Sequence, residues 1–194
     1  PLALLAQFNF AEIPSLPNFP DKGILQFYIA ADDLYGMNFD DQQQQSGFRV
    51  LYFDHVIEDT SQLRQDFSEF ELSEEDYLPF TGQYSVQFKL EQQPISLSDH
   101  EFNIRDGTHE FYKAYGETFL AMGHRLSGYP YFTQSDPRGD KKNIQDYILL
   151  FQLDTDDAEN EIMWGDSGVG NFFIHPEDLK KRDFSKVFYN WDCC

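Results

Sequence analysis

The sequence predicts a mainly β, β-roll-like fold with one longer helix and one or two short helices. Three features support this prediction: a high aromatic content, stretches in which apolar and polar residues alternate, and a strand pattern that occurs twice. Aromatic residues make up 17% of the 194 residues, and such side chains pack well on the pleated surface of a sheet. The length suits one domain with a substantial core.

Two segments, residues 4–34 and residues 149–179, resemble each other without a gap. Nine of their positions are identical, including Gln7 with Gln152 and Gly23 with Gly168. Residues 49–53 resemble residues 186–190 once a surplus near the glutamine run at 42–45 is removed, and that run is expected to be a flexible loop without core residues. We therefore predict an internal duplication of a three-strand unit, with copies at about residues 4–54 and 149–192.

Within each copy the strands alternate as half-buried strands do. One face is apolar, while the opposite face carries polar side chains at matching positions of the two copies. These side chains are candidate ligand-binding residues in a groove between the copies, and a solvated strand face is the alternative interpretation. They are Gln7, Gln26, Gln152, Asn171 and Asp154.

Residues 106–126 are predicted to form the longer helix, with Thr108 as its N-cap. Phe111, Tyr115, Phe119 and Met122 recur there at helical spacing, so this stripe is expected to face the core. Residues 175–184 place proline and acids before bases, which favours a short helix. Residues 84–90 alternate and are predicted to form a strand, and the acidic run at 68–77 is predicted to be a solvated face.

The charge balance limits the classes of partner. Thirty-four acidic residues against 14 basic ones give a net charge of −20, which argues against binding to nucleic acid or to an anionic membrane. The same charge would attract a basic protein, or it would only provide solubility.

Compartment and chain ends lead to further expectations. The two cysteines, Cys193 and Cys194, are adjacent, so no disulfide framework is expected and a cytoplasmic location fits. No segment approaches the length of a membrane span, and no signal peptide is recognised. The chain opens directly into a strand without methionine, so we expect an N-terminal part to be missing.

The segment WGDSGVG at 164–170 resembles the surroundings of a serine nucleophile and also a phosphate-binding loop. Its counterpart in the first copy keeps only the aspartate and the glycine, which are Asp21 and Gly23 against Asp166 and Gly168. An Asp-x-Gly turn accounts for both, because Asp can bond its own backbone and Gly can adopt positive φ. No catalytic residue and no cofactor are therefore predicted.

An acidic stretch beside this turn offers candidate cation ligands, and a solvated acidic loop is the alternative. The spacing departs from an EF-hand loop, because alanine and glutamate replace its central ligand and glycine. The candidates are Asp154, Asp156, Asp157 and Asp166.

Five segments together resemble the YwqG-like family of bacteria: LLAQFNF with its continuation to residue 36, GYPYFTQSDPR, LLFQLDTD, WGDSGVGNFFI and FYNWDC. The resemblance covers nearly the whole chain as a single domain. It implies a mainly β, roll-like fold and a segment before the first strand, and it implies no established activity.

Three functions follow as hypotheses. The first is a non-catalytic acidic module that binds a basic protein, for example an immunity or inhibitor protein. The second is a small-ligand or cation-binding protein. The third, a hydrolase, has the least support, so the chain is predicted not to be an enzyme.

Overall fold

The computed structural model describes residues 2–67, 73, 76–156 and 161–194, which form two compact units. The first unit comprises Pro1–Leu78 with Glu177–Lys186, and the second comprises Pro79–Pro176 with Val187–Cys194. Each contains one antiparallel sheet, of three strands in the first unit and four in the second. The mainly β prediction is therefore confirmed. Most of the predicted acidic face at 68–77 lies outside the described residues.

The first sheet consists of β1 (Leu2–Asn9), β2 (Ile24–Ala30) and β3 (Phe48–Phe53), paired in that order. Alternation places its large apolar side chains on one face, as the sequence predicts. Phe8 and Phe27 meet edge to face on it, with their ring centroids 5.9 Å apart. The buried residues of this face are Phe8, Leu25, Phe27, Ile29, Phe48 and Val50.

The glutamine run before β3 differs from its prediction, because it contains buried and bonded side chains. Gln42 is buried, and Gln45 Nε2 donates to the carbonyl of Phe184 at 2.6 Å while its Oε1 accepts from the Val50 amide. Gln43 donates in the same way to the carbonyl of Lys186. Amide side chains of this length can bond distant backbone groups, so the run fastens the loop within the first unit.

The second sheet consists of β4 (Arg125–Leu126), β5 (Ile148–Asp154), β6 (Val169–Ile174) and β7 (Phe188–Asp192), also in that order. Here β5 and β6 are buried almost throughout, on both faces. One face stacks Phe172 on Tyr189 with their ring centroids 4.5 Å apart. The sheet is therefore buried on both faces along these two strands.

The helices are α1 (His109–Thr118) and α2 (Pro176–Lys181), besides a 3-10 turn at Thr60–Gln62. Thr108 accepts a hydrogen bond from the Phe111 amide, which confirms the predicted N-cap. The short helix α2 is confirmed too, with acids in its first turn and lysines in its last turn. No helix in the described ranges is long and apolar enough to span a membrane.

The prediction for α1 is wrong in length and in packing. The helix ends at Thr118, and the residues that follow bond to the second sheet instead, because the carbonyls of Ala121 and Gly123 accept hydrogen bonds from Gln152. None of its residues is buried. Phe111, Phe119 and Met122 are 37%, 41% and 54% exposed, so the aromatic stripe lies on the surface.

Residues 84–90 form no strand, which corrects a second prediction. Their alternation is that of a half-buried strand, yet Val86 and Leu90 are 58% and 61% exposed. A strand needs a neighbour that offers backbone hydrogen bonds, and no described strand lies beside this segment.

Candidate functional site

The two sheets share their pairing register. Gln7 faces Gln26 across β1 and β2, and Gln152 faces Asn171 across β5 and β6. Each first strand has an irregularity at the same place, between Leu4 and Ala6 and between Leu149 and Phe151. The third strand of each sheet also pairs at matching positions, Leu51 with Gln26 and Asn190 with Asn171. Leu51 therefore corresponds to Asn190, which lies two residues further along the chain than the sequence alignment predicts. A common origin of the two copies stays a prediction.

In the second sheet the polar residues bind the backbone of a covering segment, residues 121–134. Gln152 Oε1 accepts from the Tyr131 amide at 2.8 Å, and Nε2 donates to the carbonyls of Ala121 and Gly123 at 2.9 and 2.7 Å. Asn171 Nδ2 donates to the Tyr131 carbonyl at 2.9 Å. Two side-chain amides thus hold both the N–H and the C=O of one residue, as a neighbouring strand would.

The same covering segment continues over the rest of this face. Phe132 stacks on Phe173 with a centroid distance of 6.0 Å, and the guanidinium of Arg138 lies 4.6 Å from the same ring. Beside β5, the strand β4 places Arg125 opposite Gln152, and His124 precedes this strand. The segment that covers the second sheet is therefore rich in aromatic side chains and carries one arginine, Arg125, and a second arginine, Arg138, lies four residues beyond it.

The matching face of the first sheet is open to solvent. Gln7 is exposed and Gln26 is half-buried, whereas Gln152 and Asn171 are fully buried. Three apolar side chains of this face are also exposed: Leu4 by 45%, Leu51 by 36% and Phe53 by 46%. We call this surface the open face and define it by Leu4, Gln7, Gln26, Tyr28, Arg49, Leu51 and Phe53.

On the open face the amides bond to each other. Gln26 Nε2 donates to Gln7 Oε1, and the Tyr28 hydroxyl donates to Gln26 Oε1 at 2.7 Å. Gln7 Nε2 makes no hydrogen bond to the described part of the chain. Partial burial raises the pKa of Tyr28 above its usual range, so its hydroxyl stays a donor at neutral pH.

Two carboxylates flank the amides of the second sheet and are held by backbone amides. Asp154 accepts from Gly123 at 2.6 Å, and Asp192 accepts from Thr133 and Gln134 at 3.2 and 2.9 Å. Burial raises the pKa of Asp192 above its usual range, the nearby Asp154 adds to this, and the two amide donors oppose it. These carboxylates fix the ends of the covering segment.

Another charged cluster, around Arg138, lies in the second unit. The guanidinium bonds Asp99 and Asp136 at 2.7 and 2.6 Å and the carbonyl of Tyr147 at 2.8 Å. Burial disfavours its charge, but the hydrogen bonds and attraction of both carboxylates prevail and raise its pKa above the usual value. A cavity of about 90 Å³ lies beside it.

Asp99, His100 and Asp136 also form the one group in the described ranges whose ligand atoms could converge on a metal ion. Both carboxylates already neutralise Arg138. A cation there would face a buried guanidinium at short range, so the cluster is best explained as a buried ion pair that also bonds the carbonyl of Tyr147.

Three of the four predicted cation ligands lie within the described residues. Asp157 lies outside the described residues, and Asp154, Asp156 and Asp166 do not form a converging group in the described ranges. Asp154 is buried against backbone amides, and Asp156 lies 3.5 Å from His124. A cation site at these residues stays a prediction.

The two Asp-x-Gly turns correspond in their contacts and differ in backbone conformation. Gly23 and Gly168 each offer a carbonyl to the strand before the turn, to the amides of Phe10 and Thr155 at 3.0 and 3.2 Å. Gly23 has a φ of +88°, as predicted, but at the second turn the positive φ of 61° belongs to Ser167. Gly168 is required by space, because a Cβ there would overlap the carbonyl oxygen of Asp192.

Sequence reasoning identified the amide pairs and missed what covers one of them. Arg138, Asp99 and Asp136 were not singled out as a buried ion pair, and Asn190 and Asp192 were not recognised as part of the polar face. A charged residue rarely becomes buried unless it is paired, but the pair spans 39 positions. The segment around Arg138 is rich in glycine, proline and aromatic residues, and this composition is the sequence signal from which its burial could have been predicted.

Together these features define a mainly β protein with two antiparallel sheets, one covered and one open on the corresponding face. The chain matches, over residues 1–193, the model of a family described as a domain of unknown function (DUF1963), and it belongs to that family. A search of curated proteins gives no significant match.

Proposed function

We propose that this protein is a non-catalytic acidic module that binds a basic protein through the open face of its first sheet. The observation that carries the proposal is the contrast between the two sheets. In the second sheet the matching face is occupied by residues 121–134, with Phe132 stacked on Phe173 and Arg138 over the same ring. The open face presents amides and apolar side chains in the same register.

Charge supports the same partner. The open face lies between two acidic rims, one with Glu12, Asp21 and Asp54 and the other with Asp32 and Asp33, all exposed. The whole chain carries a net charge of −20, which steers a basic protein toward it. An immunity- or inhibitor-like role would be one form of such binding.

The experiment is a pull-down from lysate with three baits: the unchanged protein, Leu51→Arg on the open face and Val86→Arg as a matched control. Val86 is 58% exposed and belongs to the second unit. We expect a basic protein to be captured at about 0.1 M salt and released at about 1 M, where the screening length falls from about 10 Å to about 3 Å. Leu51→Arg should abolish capture and Val86→Arg should not. Equal capture by both variants, or no salt-sensitive partner, would contradict the proposal.

A second candidate function, binding of a small ligand or cation, is favoured by one observation. Asn171 is fully buried, and its Oδ1 has no hydrogen-bond partner in the described part of the chain. Such an acceptor would suit one further donor from a small polar molecule. The check is the melting temperature with Ca²⁺ and with a metabolite panel, in the unchanged protein and in Asn171→Leu. A shift common to both proteins would exclude this position as the site.

A further inference from the structure

We propose that the cavity beside Arg138 binds a small amino alcohol, with its hydroxyl group at the guanidinium and its ammonium group at the carboxylates of Glu101 and Asp146. All residues that line this cavity belong to the second unit, so the inference is independent of the open face. The volume of about 90 Å³ is several times the roughly 10–15 Å³ that one ordered water needs. The cavity therefore has room for a molecule of a few non-hydrogen atoms.

The inner end of the cavity offers one hydrogen-bond donor, on Arg138. This residue is 4% exposed and lines the cavity. Its Nε donates to Asp136, its Nη2 donates to Asp99 and Asp136, and its Nη1 donates once, to the carbonyl of Tyr147. A guanidinium has five N–H groups, and the second N–H of Nη1 makes no hydrogen bond within the described part of the chain. A buried donor of this kind calls for an acceptor.

That acceptor is expected to be uncharged. Asp99 and Asp136 already compensate the guanidinium at 2.7 and 2.6 Å, so a carboxylate or phosphate group of a ligand would be repelled by both. A hydroxyl oxygen can accept from Arg138, and its own hydrogen can be donated to Asp99, which also lines the cavity. The inner end thus suits a hydroxyl group, which is both acceptor and donor.

The mouth of the cavity is acidic. Glu101 and Asp146 line it and are exposed, and neither side chain has a hydrogen bond or ion pair to the described residues. Ionised carboxylates only accept hydrogen bonds, whereas an ammonium group only donates them, so the two are complementary. The charged lining residues are three carboxylates and one guanidinium, and this excess of negative charge attracts a cation.

The same arrangement favours an organic cation over a metal ion. A metal ion bound by Asp99 and Asp136 would lie against the guanidinium of Arg138, whereas an amino alcohol places its charge at the mouth and an uncharged group at Arg138. The wall between the two ends includes Ile148 and Leu149, of which Leu149 is 1% exposed. Apolar side chains of this kind suit the methylene carbons that join the two polar groups.

The first experiment titrates the full chain at neutral pH with ethanolamine, ethylamine and ethylene glycol and follows backbone amide resonances. Ethanolamine should shift resonances of residues 99–101 and 145–149, which line the cavity. Ethylamine lacks the hydroxyl group and ethylene glycol lacks the charge. Each should bind about tenfold more weakly or worse, because each loses hydrogen bonds to charged groups.

The second experiment tests the acidic mouth with paired variants. Glu101→Gln with Asp146→Asn should weaken ethanolamine binding about tenfold or more. Asp106→Asn with Glu110→Gln removes the same charge from exposed residues of the same unit that do not line the cavity. This control pair should leave the affinity within about twofold, since exposed charges beyond the screening length have little effect. Unchanged resonances elsewhere show that each variant is folded.

Four outcomes would overturn the inference. Resonances that do not shift with ethanolamine would refute binding, and equal affinity for ethylamine or ethylene glycol would refute the two-ended recognition. An equal loss in the control pair would mean that only net charge matters. Displacement of ethanolamine by Mg²⁺ or Ca²⁺ at equal concentration would make a metal ion the occupant of this cavity.

Discussion

The sheets of the two units have the same strand order and register in their three matching strands, yet one is enclosed and the other is half open. Gln152 and Asn171 are fully buried and bonded to backbone, while Gln7 is exposed and bonded to a neighbouring glutamine. Similar amide side chains therefore bond a covering backbone segment in one sheet and bond only each other and Tyr28 in the other. What differs is the segment laid over them.

The greatest loss of stability should follow from breaking the buried ion pair around Arg138 in the second unit. Arg138→Met should lower the free energy of unfolding by about 3–5 kcal/mol, because Asp99 and Asp136 would remain buried without a partner. Arg49→Met, at an exposed position of the first sheet, should change it by about 1 kcal/mol or less. Urea denaturation can separate the two, because both tryptophans, Trp164 and Trp191, report on the second unit.

The amides themselves provide the next comparison. Gln152→Ala should destabilise the second unit by about 2–4 kcal/mol, because the Tyr131 amide and two carbonyls lose their partner inside the protein. Gln7→Ala should stay within about 0.5 kcal/mol, as exposed substitutions usually do. Circular dichroism during urea unfolding measures both variants. Equal losses would mean that the two faces are covered alike.

The Asp-x-Gly turns should respond alike in both units. Gly23→Ala and Gly168→Ala should each lower stability by about 1–3 kcal/mol, because a Cβ would overlap the carbonyl oxygen of Phe53 or of Asp192. Ser167→Ala should change it by about 0.5 kcal/mol or less. Thermal melts rank the three variants, and a larger loss for Ser167→Ala would contradict this account of the turn.

The smallest effect depends on pH and belongs to the covered sheet. Because burial raises the pKa of Asp192 in the folded protein, its ionisation opposes folding. The unchanged protein should therefore gain stability relative to Asp192→Asn as the pH falls through the folded pKa toward the ordinary aspartate value, and lose it as the pH rises. Denaturant unfolding of both proteins across this range measures the difference. A constant difference would show that Asp192 has an ordinary pKa.

Local patterns predicted β1, β2 and β3 and their counterparts β5, β6 and β7, because alternation and the Asp-x-Gly turns are properties of neighbouring residues. The strand β4 was not predicted, because it lies in the stretch predicted to be helical. They also predicted α2 and the N-cap Thr108. Patterns failed where a distant partner decides the structure. Residues 84–90 alternate but have no neighbouring strand among those described. The residues after α1 were predicted as helix but bond to Gln152 of the second sheet.

Only the matching polar positions of the candidate site were predicted, because the contacts that cover one pair of them involve distant residues. Repetition identified Gln7, Gln26, Gln152 and Asn171 as matching polar positions. It could not distinguish the buried pair from the exposed pair, because that difference arises from residues 121–134, whose contacts with the sheet join distant parts of the chain.

Site-specific photo-crosslinking in lysate shows directly whether a basic protein binds the open face of the first sheet. A photoreactive phenylalanine analogue is placed at position 51, on the open face, or at position 86, which is exposed in the second unit. We expect a crosslink to a basic protein from position 51 only, and we expect it to be lost at high salt. Crosslinks of equal yield from both positions, or none from position 51, would contradict it.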